Sequence, residues 1–245
     1  MPKRRSREPE FDLVEIPPVR QAIGDRVLAS RREKPTFIMT VLVRGEAMIA
    51  ARTKYKEEAG ERVLPTFNDI IIKAIGDLLP AHRHLNAWVA EEGIRQLKPI
   101  NVGFAAATPQ GVVLPTVSDA DQKSVWDIAP ETKEMVDLAR NGKLRASLQM
   151  GAGFTVSNIG PAGIDSFDAI ISPPQVAILA VGSMTLRPVV DGGSGWRPGQ
   201  DPSECSVVAA PAMNMSLTVD HRALDGAEAA PFLAELRDKL ENWDA

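Results

Sequence analysis

The chain has 245 residues, 44% of them hydrophobic and 24% charged, with a formal net charge of −4. A chain of this length can bury a substantial core without covalent staples and suits one α/β domain, while its mild negative charge gives no electrostatic case for a nucleic acid or a membrane as partner. The single cysteine, Cys205, excludes an internal disulfide and fits a reducing compartment, so a cytoplasmic protein is expected.

The basic start, Met1-Pro2-Lys3-Arg4-Arg5-Ser6-Arg7, has no apolar run behind it and is no secretory signal. It reads as a flexible, solvated arm over residues 1–13, the alternative being a docking segment for an acidic partner. No stretch of about 18 apolar residues follows, so no spanning helix is expected. Past Ile16-Pro17-Pro18, the spacing of Val19, Ala22, Ile23 and Val27 predicts a helix with Pro18 near its start and Pro35 at its end. Phe37 to Val43 reads as a buried strand, and Glu46 to Glu58 as a helix closed by Gly60. Thr66 is a candidate N-cap for a deeply buried helix running to Leu79.

Residues 81–89 lead into short strands around Ile94 and Leu97, and further strands are expected over 99–107 and 111–117. A long amphipathic helix follows from Gln122 to Arg140, interrupted by Pro130. Phe154 to Ser157 reads as a short strand entering a glycine-rich turn. Gln175 to Val181 and Met184 to Val190 read as a strand pair, with a hairpin tip at Gly192-Gly193-Ser194-Gly195. Ser206 to Asp220 is a long strand region broken at Pro211; from Met213 onward it alternates apolar and polar residues, which predicts one buried face. An amphipathic helix from Gly226 to Trp243 closes the chain. With no internal repeat and no strict strand–helix alternation, the pattern argues for an α/β fold of the α+β type: one mixed sheet with helices packed on it.

Two segments carry chemistry. In Asp220-His221-Arg222-Ala223-Leu224-Asp225-Gly226 a histidine sits in a polar cluster at a strand end. Imidazole is the side chain best suited to move a proton near neutral pH. A thiol, with a pKa of roughly 8.5, attacks as its thiolate, and a general base that takes the proton contributes about 10²–10⁴-fold. Asp225 is spaced to orient the ring, directly or through an arginine, and Gly226 frees the backbone at the exit. Taken alone, His-x-x-x-Asp-Gly equally fits a surface turn with a solvated histidine. The second segment is Gly153-Phe154-Thr155-Val156-Ser157-Asn158-Ile159-Gly160, where hydroxyls at a strand end offer a donor to the oxyanion of a tetrahedral intermediate. Its local pattern also reads as plain turn chemistry. Cys205 reads as a small apolar residue at a strand start rather than a nucleophile. His82 and His84 have no Cys or His cluster to join, so they read as surface or helix-end residues and no metal is expected. No phosphate loop, dinucleotide fingerprint or nucleophile elbow is present.

Taken together, several segments resemble the catalytic domain of dihydrolipoamide acyltransferases, the acyltransferase components of 2-oxo acid dehydrogenase complexes. Thr218-Val219-Asp220-His221-Arg222-Ala223-Leu224-Asp225-Gly226-Ala227 is similar to that family's active-site motif. Phe154 to Gly160, Pro173 to Gly182, Asn101-Val102-Gly103, Gly111 to Pro115 and Asp119-Ala120-Asp121 also match, as do the helices around Arg20 and Asn68-Asp69. The resemblance runs in the family's order from about residue 14 to 243, so residues 14–245 are taken as the acyltransferase domain.

The resemblance implies a chloramphenicol acetyltransferase-like fold, a mixed sheet flanked by helices, assembled as a homotrimer with active sites between subunits. It makes His221 the general base, Ser157 of a neighbouring chain the oxyanion donor, Asp225 the residue holding local geometry, and Arg20 the partner of that aspartate. Acyl-CoA and a dihydrolipoyl group would then enter opposite ends of a channel, with coenzyme A as a substrate and the lipoyl group supplied by another domain or chain. Dehydrogenase and dihydrolipoamide dehydrogenase components become expected partners. Two departures stand out. No lipoyl or subunit-binding domain precedes this unit, so it reads as an excised core or a stand-alone acyltransferase. The end Glu241-Asn242-Trp243-Asp244-Ala245 is not the hydrophobic tail of cage-forming members, so isolated trimers are expected. Two other readings stay open: the same fold with a hydroxyl or amine acceptor, and a structural core without catalysis.

Overall fold

The computed structural model describes residues 11–191, 201, 203 and 205–244. Most of the basic arm and the expected hairpin tip at 192–195 lie outside the described residues. The first helix, α1 (Pro18–Glu33), opens on two prolines, which need no partner for an N–H they lack. It stops at Lys34 because the residue before Pro35 disfavours the helical region. β1 (Thr36–Arg44) and α2 (Glu46–Glu58) follow. α3 (Phe67–Leu78) starts at the expected cap: Thr66 and Asp69 satisfy each other's backbone N–H groups in a capping box.

The remaining elements are β2 (Ala87–Ala90), β3 (Gly93–Gln96), β4 (Val102–Phe104), β5 (Ala106–Thr108), β6 (Gly111–Val113), β7 (Thr116–Val117), α4 (Val125–Arg140), β8 (Phe154–Asn158), β9 (Ala177–Val181), β10 (Thr185–Val190), β11 (Val207–Asp220) and α5 (Gly226–Glu241). Seven strands form one mixed sheet, ordered β1-β11-β9-β8-β4-β7, with β10 also paired to β11. The β4–β8 and β8–β9 pairs are parallel and the other pairs antiparallel. The main core lies on one face. There Met213, Met215, Leu217 and Val219 of β11 meet Phe232, Leu233, Leu236 and Leu240 of α5 and the isoleucines of α3. A smaller cluster on the other face joins Ile178 and Ala180 of β9 to Ala169 and Ile171 of the loop before it.

Several expectations need correction. The strands expected over 99–107 and 111–117 are each split: β4 and β7 belong to the main sheet, while β5 and β6 form a separate hairpin. Each apolar run therefore serves two sheets, a change of partner that periodicity does not register. β9 and β10 do not pair with each other; both run along β11, which at 14 residues is long enough to hold them end to end. Pro211 does not break β11. Its carbonyl accepts the Gly45 N–H, and a strand residue's N–H and C=O point to the same edge. The missing N–H thus falls where β1 has already ended. Pro130 lies inside α4 without interrupting it, at the cost of one backbone hydrogen bond, while Ile128, Ala129 and Met135 stay buried. Finally, β11 buries both faces: Ser216, Thr218 and Asp220 are as enclosed as the apolar residues between them.

Candidate active site

His221 is the first residue beyond β11, and its side chain is exposed. The junction between α1 and β1 grips it. Its backbone N–H donates to the Pro35 carbonyl (2.8 Å), and its ring lies 4.8 Å from the Phe37 ring, centroid to centroid. On its N-terminal side, fully buried Asp220 accepts from Lys34 Nζ (2.8 Å) and from Arg222 Nε and Nη2 (3.0 and 2.7 Å). Burial pushes the Asp220 carboxyl up, but the hydrogen bonds from Arg222 and Lys34 outweigh it and hold the group below the usual carboxylate range. The histidine backbone is therefore fixed from both sides while the imidazole faces outward.

Asp225 is the N-cap of α5. Its Oδ1 accepts the Glu228 N–H (3.0 Å), and Glu228 Oε2 accepts the Asp225 N–H (3.0 Å). The expected Arg20–Asp225 pair is not formed within the chain: among the described residues no hydrogen bond or ion pair joins them. Arg20 lies on an exposed stretch of α1 near its N-terminal end. At a rise of 1.5 Å per residue it is roughly 20 Å up the helix from the Lys34 end that meets Asp220.

Ser157 lies near the end of β8, half-buried, opposite Ala180 of β9. Ser157, Ala180, Ser216 and Thr40 run side by side across four strands, with the Thr40 and Ser216 hydroxyls 2.9 Å apart. The turn after β8 needs glycine: a Cβ at Gly160 would lie 2.5 Å from the Gly182 carbonyl oxygen.

The structure does not bring Ser157 and His221 together in one chain. His221 is five residues along β11 from the Ser216 row, and Ser157 is two strands away from β11. Strand geometry separates them by roughly 20 Å. They also differ in face, since Ser157 shares the side of Ala180 whereas Phe37, against the imidazole, packs on the helix-side core. The Lys34–Asp220 pair escaped the sequence reading, since nothing local marks a lone lysine before a proline as the partner of an aspartate 186 positions away. Among the described residues no cluster of three His, Cys, Asp or Glu could hold a metal, and no helix is long and apolar enough to cross a membrane. Cys205 is partly exposed.

A mixed sheet flanked by helices is the architecture of chloramphenicol acetyltransferase. A solved structure of that enzyme superposes with a TM-score of 0.52 over 94% of this chain and 99% of its own, at 12% identity, which speaks for the fold alone. The family is set by sequence: the model of the 2-oxoacid dehydrogenases acyltransferase catalytic domain matches residues 8–245, and the chain belongs to that family. The acetyltransferase component of the Rickettsia felis pyruvate dehydrogenase complex is 32% identical over 242 residues, covering 97% of this chain and 55% of that protein. The chain spans about half the length of the curated relatives it matches. Azotobacter vinelandii dihydrolipoamide acetyltransferase superposes with a TM-score of 0.87 at 29% identity, over 99% of this chain and 96% of its own. That structure comes from a study of a serine, a histidine and an asparagine in the catalytic mechanism. The cubic core of a pyruvate dehydrogenase multienzyme complex matches equally well, with the same TM-score, identity and coverage.

Proposed function

We propose that this chain is the catalytic unit of an acyltransferase that moves an acyl group between dihydrolipoamide and coenzyme A, at sites completed by two neighbouring chains of a homotrimer. The observation that carries this reading is the separation of the two half-sites. His221 and Ser157 lie on opposite faces and at opposite ends of one sheet, so only a second chain can set one against the other. Exposed Leu13, Val14, Ile16 and Leu28 along the N-terminal segment and α1 offer apolar surface for that neighbour to cover.

In the reaction, an imidazole nitrogen of His221 takes the proton of the incoming thiol as its sulfur attacks the thioester carbonyl. The carbonyl oxygen becomes an oxyanion that accepts the hydroxyl hydrogen of the neighbour's Ser157. Collapse expels the other sulfur, which recovers the proton from the imidazolium. No acyl-enzyme forms, and the histidine ends as it began. Dehydrogenase and dihydrolipoamide dehydrogenase components would be partners, the lipoyl group arriving on another domain or chain. A cytoplasmic setting fits the single cysteine.

In the Azotobacter relative the histidine and asparagine under study are four positions apart, the spacing of His221 and Asp225. Asparagine and aspartate are equally good N-caps. That equivalence favours Asp225 as the residue that fixes the start of α5, rather than as a charge acting on the imidazole. A contribution from Arg20 would then come through the assembled protein. The test is acetyl transfer from acetyl-CoA to free dihydrolipoamide, followed as thioester formation. Transfer well above the uncatalysed rate is expected; none at any acyl-CoA chain length would reject the assignment.

A further inference from the structure

We propose that Lys34 is a positioning residue: the ammonium it buries between the Gln175 carbonyl and the Asp220 carboxylate fixes the turn from which His221 presents its imidazole. Lysine is almost never fully buried unless paired, yet this side chain is 3% exposed and its partner Asp220 is fully enclosed. Its Nζ donates to Asp220 Oδ2 (2.8 Å) and to Gln175 O (3.0 Å). The next residue, Pro35, accepts the His221 N–H, so Lys34 and Pro35 hold two consecutive residues of the turn. Asp220 Oδ1 meanwhile accepts the Arg222 N–H (3.2 Å), which fixes the third.

The network also reaches the strand of Ser157. Gln175 Oε1 accepts from Thr155 Oγ1 (2.7 Å), and Gln175 Nε2 donates to Ala152 O (3.1 Å). Thr155 precedes Ser157 by two positions on the same face of β8, so both half-sites of one chain are tied to a single frame. A buried ion pair is a weak stabiliser compared with well-packed apolar residues. Its geometric exactness is what an apolar pair would not supply.

The proposal rests on the acyl-transfer reading for its kinetic test but not for its spectroscopic one. Lys34→Met keeps the length of the side chain and removes the charge. Its expected effect is a fall in kcat of about tenfold or more, for a misaimed general base, with KM for acetyl-CoA and for dihydrolipoamide each changed less than twofold. The Lys34→Met/Asp220→Asn double variant removes the unpaired buried charge, keeps an oxygen acceptor for the Arg222 N–H, and serves where the single variant does not fold. It should unfold at a temperature close to the wild type's and keep the low kcat. The spectroscopic readout uses the three histidines of the chain. In protein labelled at the histidine ring carbons, the His221 resonance should shift or broaden in the double variant. His82 and His84, held against α5 by Glu235 and the Glu228 carbonyl, should stay in place. A kcat within twofold of wild type, or movement of all three resonances together, overturns the proposal. A wild-type chain that transfers no acyl group refutes the function instead, and the resonance test still decides the role of Lys34.

Discussion

His221 holds the turn through its backbone, so the fold does not need its imidazole. The ring is exposed and the Pro35 contact is made by the main chain. His221→Ala is therefore expected to lower kcat by about 10²–10⁴-fold while unfolding within about 0.5 kcal/mol of wild type, as for other surface substitutions; steady-state kinetics beside urea titration separates the two. Ser157→Ala should cost about 10²-fold if its hydroxyl is the oxyanion donor, and a loss below threefold removes it from the mechanism. Asp220 governs a pH effect. Burial raises its carboxyl, but bonds from Arg222 and Lys34 outweigh this, so its folded pKa lies below its unfolded one. Such a group contributes stability above the unfolded value, near about 4, and loses it as pH falls through the folded value. Urea midpoints measured from about pH 6 down to about pH 3 should fall on the acid side for wild type. The acid limb should be flatter in Lys34→Met/Asp220→Asn, and an equal slope in both would remove Asp220 as the cause. The strand ends at which His221 and Ser157 sit were legible in the sequence because local pattern marks them. Lys34 was not, since its partners come from distant segments and burial makes the pair.

At the scale of elements, α5 depends on Asp225 at its first turn. Asp225→Ala leaves the Glu228 N–H without its capping partner and should destabilise the chain by about 1 kcal/mol. Asp225→Asn keeps an acceptor in the same place and should cost only a few tenths. Thermal unfolding of the two variants side by side checks this. If asparagine is as damaging as alanine, the carboxylate charge matters and capping is not the whole role. The elements show where sequence reading holds. α2 was legible end to end, and the Thr66 cap marked the start of α3, because helix termini are written in local chemistry. The strands over 99–117 were not, since the point where a strand leaves one sheet for another depends on neighbours such as Thr155 and Phe154, which lie some fifty residues on. Pro211 misled because a missing N–H matters only where a partner stands opposite, and Pro130 misled because burial of Ile128, Ala129 and Met135 holds α4 together despite the lost bond.

For the whole molecule, the proposed split site would make catalysis a property of the assembly. If each site takes its histidine from one chain and its serine from the next, then two inactive variants can repair one another. Trimers formed at random from equal amounts of His221→Ala and Ser157→Ala chains should regain about a quarter of the wild-type sites, because each interface needs an intact histidine on one side and an intact serine on the other. A site lying within a single chain predicts no recovery, since every chain in the mixture then lacks one group. The mixture has to be unfolded and refolded together so that chains exchange; mixing preformed assemblies is the control and should stay inactive. Light scattering on the same samples distinguishes trimers from a cage of 24 or 60 chains. The recovered fraction depends only on pairing across one kind of interface, so the quarter should hold for either assembly. Recovery near zero in a refolded sample whose mass shows intact oligomers would place both groups in one chain, against the roughly 20 Å that the sheet sets between them.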